Sequence, residues 1–319
     1  MIDPIYAKIE SQPRPTLFAA LGFILLAAAG LWLSSLAGML WPEAGLATVD
    51  LLYYLPFVAL PVILYLWRRP DCRESLRLNP LPGLPLLGVA LLALLSAYAA
   101  SGLTALLNVL LDALGMRQPA TAALPTTKSD LSLAILTMAA LPAVCEELLF
   151  RGFVLSAWES RGTAFAIGVT AGLFALLHGN LYGLPAYLLV GAVSGCVTFA
   201  LDSVYAGMIY HTLYNAAVLV LSFLLSGQAG DASSQAEAAV PAASALFSMA
   251  LITLTTLSMM AVLAAALVLR ARDTGITAIP RIRRPLSFRE RAMLAVAVGV
   301  MLASMAVLQL LPLLQEGIG

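Results

Sequence analysis

The chain has 319 residues, of which 61% are hydrophobic and only 11% are charged. Average globular domains carry about a quarter charged residues, so this composition excludes an ordinary soluble protein and predicts a polytopic membrane protein. With 17 acidic and 17 basic residues the formal net charge is zero, which offers no excess charge for binding nucleic acid. The cysteines Cys72, Cys145 and Cys196 lack the paired spacing of a disulfide framework or a zinc site.

Stretches without charged residues locate the membrane spans, because about 20 apolar residues are needed to cross a hydrocarbon core of about 30 Å. The sequence predicts an all-α, polytopic transmembrane helical bundle with eight or nine spans. The nine predicted spans are 17–40, 51–67, 84–111, 131–160, 162–180, 184–201, 203–226, 242–269 and 291–313. The residues before the first span are polar and mixed in charge, which predicts no cleavable signal peptide.

The charges of the loops predict the orientation of the bundle. Arginines follow the second and the eighth span, whereas the segments 42–50 and 227–241 carry acids but no Lys or Arg. Under the positive-inside rule the N-terminus is cytoplasmic and the C-terminus lies outside. The loop 113–129, with Arg117 and Lys128, fits this orientation less well. We expect 227–241 to be a flexible external loop and 271–290 to be a basic cytoplasmic connector.

A cluster of charged residues interrupts the fourth predicted span. The run Glu146-Glu147-Leu-Leu-Phe-Arg151 lies inside the apolar stretch 131–160, and ionisable groups within a span are costly and usually functional. Glu147 and Arg151 are four residues apart, so they share a helix face and predict a structural ion pair. Glu146 lies about 100° around the helix and stays available as a general base. The competing interpretation is a helix end, where the cluster simply meets water.

Two histidines and an asparagine are predicted to lie at the depth of Glu146. At about 1.5 Å per residue, Glu146 and His178 lie roughly 22 and 25 Å from the turn that joins their helices. His211 and Asn215 are four residues apart on one face, roughly 12 to 21 Å from the turn before their helix. A single buried histidine is usually held by a carbonyl or a hydroxyl. Four such groups at one depth favour a functional site.

These residues resemble the motifs of the CPBP family, the CAAX proteases and bacteriocin-processing enzymes that are also called the Abi family. The family motifs are Glu-Glu-xxx-Arg, Phe-xxx-His and His-xxx-Asn. Here they read Glu146-Glu147-Leu-Leu-Phe-Arg151, Phe174-Ala-Leu-Leu-His178 and His211-Thr-Leu-Tyr-Asn215. The predicted parts are N-terminal transmembrane helices over 1–129, a catalytic core of four helices over 130–226, and C-terminal helices with the basic connector over 227–319.

The resemblance implies an intramembrane endopeptidase that hydrolyses peptide bonds of a membrane-associated protein or peptide. On that basis Glu146 and His178 would hold and activate the attacking water, and His211 and Asn215 would form the oxyanion site. The ion pair of the first motif would support its helix. The implied partners are that substrate and membrane lipid, without nucleic acid, and the implied location is a bacterial cytoplasmic membrane. The oligomeric state is not indicated.

Metal use is left open by these residues. Glu146, His178 and His211 would supply three ligands for a catalytic zinc with an open fourth position. No His-Glu-xxx-His pair occurs on one helix, however, and Asn215 is a poor zinc ligand. The favoured interpretation is therefore a water-activating glutamate without bound metal, and no cofactor is predicted to be required.

Two other classes of function are compatible with the same residues. A non-catalytic scaffold or an immunity-type interaction protein would use the core to bind a partner, and it would keep its cellular phenotype after Glu146→Ala. A transporter or proton pathway through Glu146, His178 and His211 would move solute without releasing a peptide product. The scaffold has no need of an unpaired glutamate inside the membrane, and the transporter lacks a charge relay along the remaining spans.

Overall fold

The structure, a computed structural model, describes residues 13–41, 46–72, 74–81, 83–116, 125, 127–232, 242–273 and 286–316. This part of the chain is helical and contains no strand, which confirms the predicted all-α bundle. It forms nine main helices, and two single 3₁₀ turns, Pro70–Cys72 and Glu74–Leu76, follow the second helix. In chain order they are α1 (Leu17–Leu40), α2 (46–68), α3 (Gly83–Ala113), α4 (Lys128–Arg161), α5 (Thr163–Leu177), α6 (Leu184–Ala200), α7 (Val204–Ala232), α8 (Ala242–Asp273) and α9 (Phe288–Glu316).

The helices agree with the predicted spans to within a few residues at most ends. Seven of the described helices are long and apolar enough to cross a membrane, which supports an integral membrane protein, and α5 and α6 are shorter at 15 and 17 residues. The start of the predicted external loop, 227–232, belongs to α7, and the rest of that loop lies outside the described residues. Most of the predicted basic connector, 274–285, lies outside them as well.

Two helices change their hydrogen-bond pattern next to a proline. α2 is π-helical over Tyr54–Ala59 and α4 over Ile135–Ala140, and in each case the next N–H bonds to the carbonyl five residues back. Pro61 and Pro142 follow these turns after one intervening residue, Leu60 and Leu141 respectively. Because proline has no N–H and its ring clashes with the carbonyl four residues earlier, a wider turn relieves the conflict. A further π-helical turn, Leu148–Val154, lies directly after the two glutamates of α4.

The core helices α4, α6 and α7 approach one another closely at Gly207. A Cβ atom at this position would lie 2.5 Å from Thr198 Oγ1 and 2.8 Å from Glu147 Oε2. Real Cβ atoms do not come so close to other atoms, so only glycine allows α7 to pack against both neighbours here. Gly191 marks a second close approach, between α5 and α6, because a Cβ there would lie 3.0 Å from the Ala171 backbone and the neighbouring helix would have to shift slightly. These contacts bring the side chains of three helices together around Glu147.

One end of the bundle is held together by ion pairs between segments that are far apart in the sequence. The pairs are Arg14–Glu159, Arg77–Glu159, Arg77–Asp202 and Arg161–Glu290. Asn79 adds a bond to the carbonyl of Asp202 at 2.8 Å. The start of α1, the segment after α2, the α4–α5 turn, the α6–α7 turn and the start of α9 therefore lie at the same end. This end, defined by these residues, is the arginine end.

Candidate active site

A cavity of about 320 Å³ lies between α2, α4, the end of α5, α6 and α7. Its walls include all four side chains for which the sequence predicted a catalytic role, which are Glu146, His178, His211 and Asn215. The remaining lining residues are Asp50, Tyr54, Met138, Pro142, Phe174, Tyr187, Val190 and Tyr214. Three separate motifs thus contribute to one small cavity, as the estimate of their depth predicted.

Glu147 is fully buried beside this cavity and is the centre of a hydrogen-bonded cluster. Its Oε1 lies 3.2 Å from Arg151 Nη1, so the ion pair expected from the spacing is present, with both side chains fully buried. Oε1 also lies 2.9 Å from His211 Nδ1, and Oε2 accepts a bond from Ser194 Oγ at 2.6 Å. Arg151 in turn donates to the Gly191 carbonyl at 2.9 Å. A buried carboxylate is costly unless several donors compensate its lost hydration, and this cluster supplies them.

Glu146 has one engaged and one open oxygen. The carboxylate is 4% exposed, and its Oε1 accepts a hydrogen bond from the Tyr54 hydroxyl at 2.8 Å. Its Oε2 has no hydrogen-bond partner among the described residues and lies 4.0 Å from His211 Nε2. The sequence predicted no partner for Glu146 on its own helix. In the structure, Tyr54 on α2 binds Oε1 of the carboxylate, and Oε2 faces the cavity.

His178 is held in one orientation at the end of α5. Its Nδ1 lies 2.8 Å from the Phe174 carbonyl, and its ring stacks on Tyr187 with centroids 4.0 Å apart. Because a carbonyl can only accept, Nδ1 carries the proton, and Nε2 of the neutral ring is then an acceptor. Phe174 also packs edge-on against His211. The two imidazoles are therefore separated by an aromatic ring but face the same cavity.

His211 lies between the two glutamates. Nδ1 is at hydrogen-bond distance from Glu147, and Nε2 points towards Glu146 at 4.0 Å. The sequence grouped His211 with Asn215 and His178 with Glu146. Of the two histidines, it is His211 that forms a described ion pair with Glu146, and this contact joins the first and third motifs directly.

Asn215 contacts the distorted part of α4. Its Nδ2 lies 3.5 Å from the Met138 carbonyl. In a regular helix this carbonyl would accept a hydrogen bond from the N–H of residue 142, but Pro142 has no N–H. At this distance the hydrogen bond is weak, so the Asn215 amide remains available to bind a ligand in the cavity. Asn215 is half-buried and lines the cavity together with Met138 and Pro142.

Two lining residues on α2, Asp50 and Tyr54, were missed by the sequence interpretation. It placed Asp50 in the external segment 42–50, whereas the structure places it in α2 on the cavity wall. The spacing holds a signal, since Asp50 and Tyr54 are four residues apart and therefore share a helix face. An acid and a tyrosine on one face of an apolar helix are candidates for a polar cavity, but no motif identified them.

The metal alternative has no preformed site in the part of the chain that the structure describes. No group of three His, Cys, Asp or Glu side chains there is arranged to hold a metal ion. Glu146, His178 and His211 line one cavity without converging on a single point. Zinc ligation by these three side chains stays a prediction that a metal-removal experiment decides.

A second cavity, of about 450 Å³, lies between α3, α7 and α8. Its walls carry hydroxyl and apolar side chains but neither a histidine nor a carboxylate, so it offers no groups for acid–base chemistry. Its lining residues are Tyr98, Ser101, Gly102, Ala105, Leu221, Ser248, Met249, Ile252 and Thr253.

A comparison with known families found a match to the core of the chain. Residues 128–217 match the family described as type II CAAX prenyl endopeptidase Rce1-like, and this confirms the resemblance to the CPBP family. The match runs from the start of α4 into α7 and contains Glu146, Glu147, Arg151, His178, His211 and Asn215. It supports an intramembrane endopeptidase of the CAAX-protease kind that acts on a membrane-associated peptide. Comparisons with curated proteins and with solved structures found no match.

Proposed function

We propose that this chain, whose core from 128 to 217 is Rce1-like, is an endopeptidase in which Glu146 activates water to hydrolyse a peptide bond of a membrane-associated polypeptide. The observation that carries the proposal is the Oε2 atom of Glu146, which is buried at a cavity wall and has no donor among the described residues. A buried carboxylate oxygen without a donor costs free energy. A water molecule in the cavity would supply the missing donor and would be placed for reaction.

Glu146 and His178 together would orient that water. The Oε2 of Glu146 and the Nε2 of His178 are both acceptors, so they bind the two hydrogens of one water and turn its lone pairs towards the substrate carbonyl. Transfer of one proton to Glu146 as the water attacks is general base catalysis, which contributes about 10²–10⁴ in rate. The Tyr54 hydroxyl holds the other oxygen of Glu146 and so fixes the direction of Oε2.

His211 and Asn215 would stabilise the tetrahedral oxyanion. With Nδ1 donating to Glu147, a doubly protonated His211 presents Nε2–H to the cavity, and the Asn215 amide supplies a second donor. In this state the two negative charges are the carboxylates of Glu146 and Glu147. The guanidinium of Arg151 and the imidazolium of His211 balance them. The carboxylate and guanidinium of the buried Glu147–Arg151 pair are positioning groups that act through His211.

The proton taken from water would return to the leaving group. Collapse of the tetrahedral intermediate breaks the C–N bond, and the protonated Glu146 gives its proton to the departing amine. One water is consumed, and a new carboxyl terminus and a new amine are released. No step uses a metal ion or a covalent enzyme intermediate.

The test compares membrane peptides by mass spectrometry in cells that produce the wild-type chain or Glu146→Gln. Asp71→Asn is the matched control, because Asp71 is an exposed acid outside the core and pairs with Arg69. We expect a cleavage product with the wild type and with Asp71→Asn that is absent with Glu146→Gln. A product that persists with Glu146→Gln contradicts the proposal. A cellular phenotype that persists without any product would instead support the scaffold function.

A further inference from the structure

Among the residues that the structure describes, most Lys and Arg side chains belong to segments at one end of the bundle. By sequence position, fourteen of the 17 lie in the segments 1–16, 68–82, 159–163 and 268–291. The ion pairs described above connect these segments at the arginine end. Of the other Lys and Arg residues in the described ranges, Lys128 lies at the start of α4 at the opposite end, and Arg151 is buried inside the core. A bias of this size identifies the cytoplasmic face of a membrane protein.

The candidate active site lies far from the arginine end. Glu146 is about 22 Å along α4 from Arg161, at about 1.5 Å per residue. Asp50 is about 27 Å along α2 from Arg68, which nearly equals the thickness of a hydrocarbon core of about 30 Å. Asp50 and Glu146 both line the cavity, so the cavity extends from the middle of the bundle towards the end opposite the arginines.

The protein between the cavity and the arginine end is tightly packed. Every residue of α4 from 149 to 159 is buried, including Phe150, Phe153 and Trp158, which are fully covered. In the other direction the cover is incomplete. Met138 is 37% exposed, and Asp50 and Asn215 are half-buried. The packing of α4 therefore covers the cavity towards the arginine end, and the incompletely covered side chains of its wall lie towards the opposite end.

We infer that the candidate active site opens to the extracytoplasmic face of the membrane, so that its substrate is a polypeptide segment presented at that face. The inference rests on the proposed function only for the nature of the reaction. The side of access follows from the charge distribution and from the packing. A peptide that reaches this cavity has been exported or is the external part of a membrane protein, and a segment in the cytosol would meet the packed end.

Cysteine labelling at the two ends of α2 tests the side of access without requiring turnover. Thr48→Cys and Arg69→Cys each place one thiol at an exposed position, on the cavity side and at the arginine end respectively. The unmodified chain gives the background, since Cys72 and Cys145 are buried and Cys196 is half-buried. Asp50→Cys adds a thiol at the mouth of the cavity. The reagent is a membrane-impermeant maleimide, applied to spheroplasts and to inverted vesicles.

We expect Thr48→Cys and Asp50→Cys to be labelled several-fold above background in spheroplasts, and Arg69→Cys only in inverted vesicles. The reverse pattern, or equal labelling of Thr48→Cys and Arg69→Cys from one side, would overturn the inference. Labelling of Thr48→Cys but not Asp50→Cys in spheroplasts would also overturn it, because the mouth would then be closed on that side. A failure of the proposed peptidase function would leave these labelling patterns unchanged, so the two failures are distinguishable.

Discussion

His211 Nδ1 lies 2.9 Å from Glu147 Oε1, although the two residues are 64 positions apart in the chain. The same carboxylate oxygen pairs with Arg151, so the imidazole is attached to a fully buried ion pair. This arrangement fixes the proton on Nδ1 and directs Nε2 into the cavity towards Glu146. The first and third motifs are therefore one structural unit, and the second motif contributes His178 from the far side of Phe174.

Removing the charge of Arg151 alone should destabilise the protein strongly. Arg151→Met leaves the Glu147 carboxylate buried with its main counter-charge gone, which costs about 3–5 kcal/mol in free energy of unfolding. Unfolding in detergent measures the effect. Arg69→Met is the matched control at an exposed pair, and we expect it to leave the unfolding temperature unchanged.

The double variant Glu147→Leu/Arg151→Met separates stability from activity. Replacing both charges by apolar groups should restore most of the stability that the single change removes. Turnover should still fall by at least about tenfold, because His211 loses the group that orients it. A double variant with wild-type turnover would show that Glu147 does not act through His211.

Tyr54→Phe should lower turnover while the protein stays folded. The change removes the hydrogen bond to Glu146 Oε1, and hydrogen bonds to charged groups contribute about 1.5–3 kcal/mol, so we expect a loss of roughly tenfold or more. The adjacent Tyr53→Phe is the control, because Tyr53 is also buried but makes no described hydrogen bond to Glu146. Equal effects of the two changes on initial rates would contradict a specific role for Tyr54.

Asn215→Ala should reduce kcat by about 10²–10³ with little change in stability. An amide donor to the oxyanion contributes that much to the rate, whereas the only described bond of Asn215 is the long contact to the Met138 carbonyl. Steady-state kinetics and the unfolding temperature should be measured on the same preparation. A loss of activity that matches a loss of folded protein would indicate a structural role instead.

Removal of divalent metal should leave turnover unchanged. The side chains that line the cavity do not form a three-ligand set, and the proposed steps use carboxylate and imidazole groups alone. The measurement is the initial rate after exhaustive chelation, with and without added zinc. A loss of activity that zinc restores would establish the metal-dependent alternative.

The span boundaries and the depth of the site could be predicted because both depend on distances along single helices. Charge-free stretches gave the helices, and the spacing of Glu147 and Arg151 gave the ion pair. Counting residues from shared turns also brought Glu146, His178, His211 and Asn215 to one level, and the structure places all four on one cavity. Each of these inferences uses only the rise and the periodicity of a helix.

The contacts between helices could not be predicted in this way. The bonds of Tyr54 to Glu146 and of His211 to Glu147 depend on how α2 and α7 are rotated about their axes. The π-helical turns beside Pro61 and Pro142 shift that rotation by an amount that helical periodicity does not give. The sequence analysis placed Asp50 in a loop, because a single acid at the start of an apolar stretch is typical of the end of a membrane span.

The most direct measurement of the central claim is the single-turnover cleavage rate of purified wild-type protein and Glu146→Gln, with the peptide identified in the cellular comparison. Glutamine preserves the size of the side chain and its bond with Tyr54, but it cannot take a proton from water. We predict a rate at least about 100-fold lower for Glu146→Gln, with peptide binding retained. A rate within about twofold of the wild type would contradict the assignment of Glu146 as the general base.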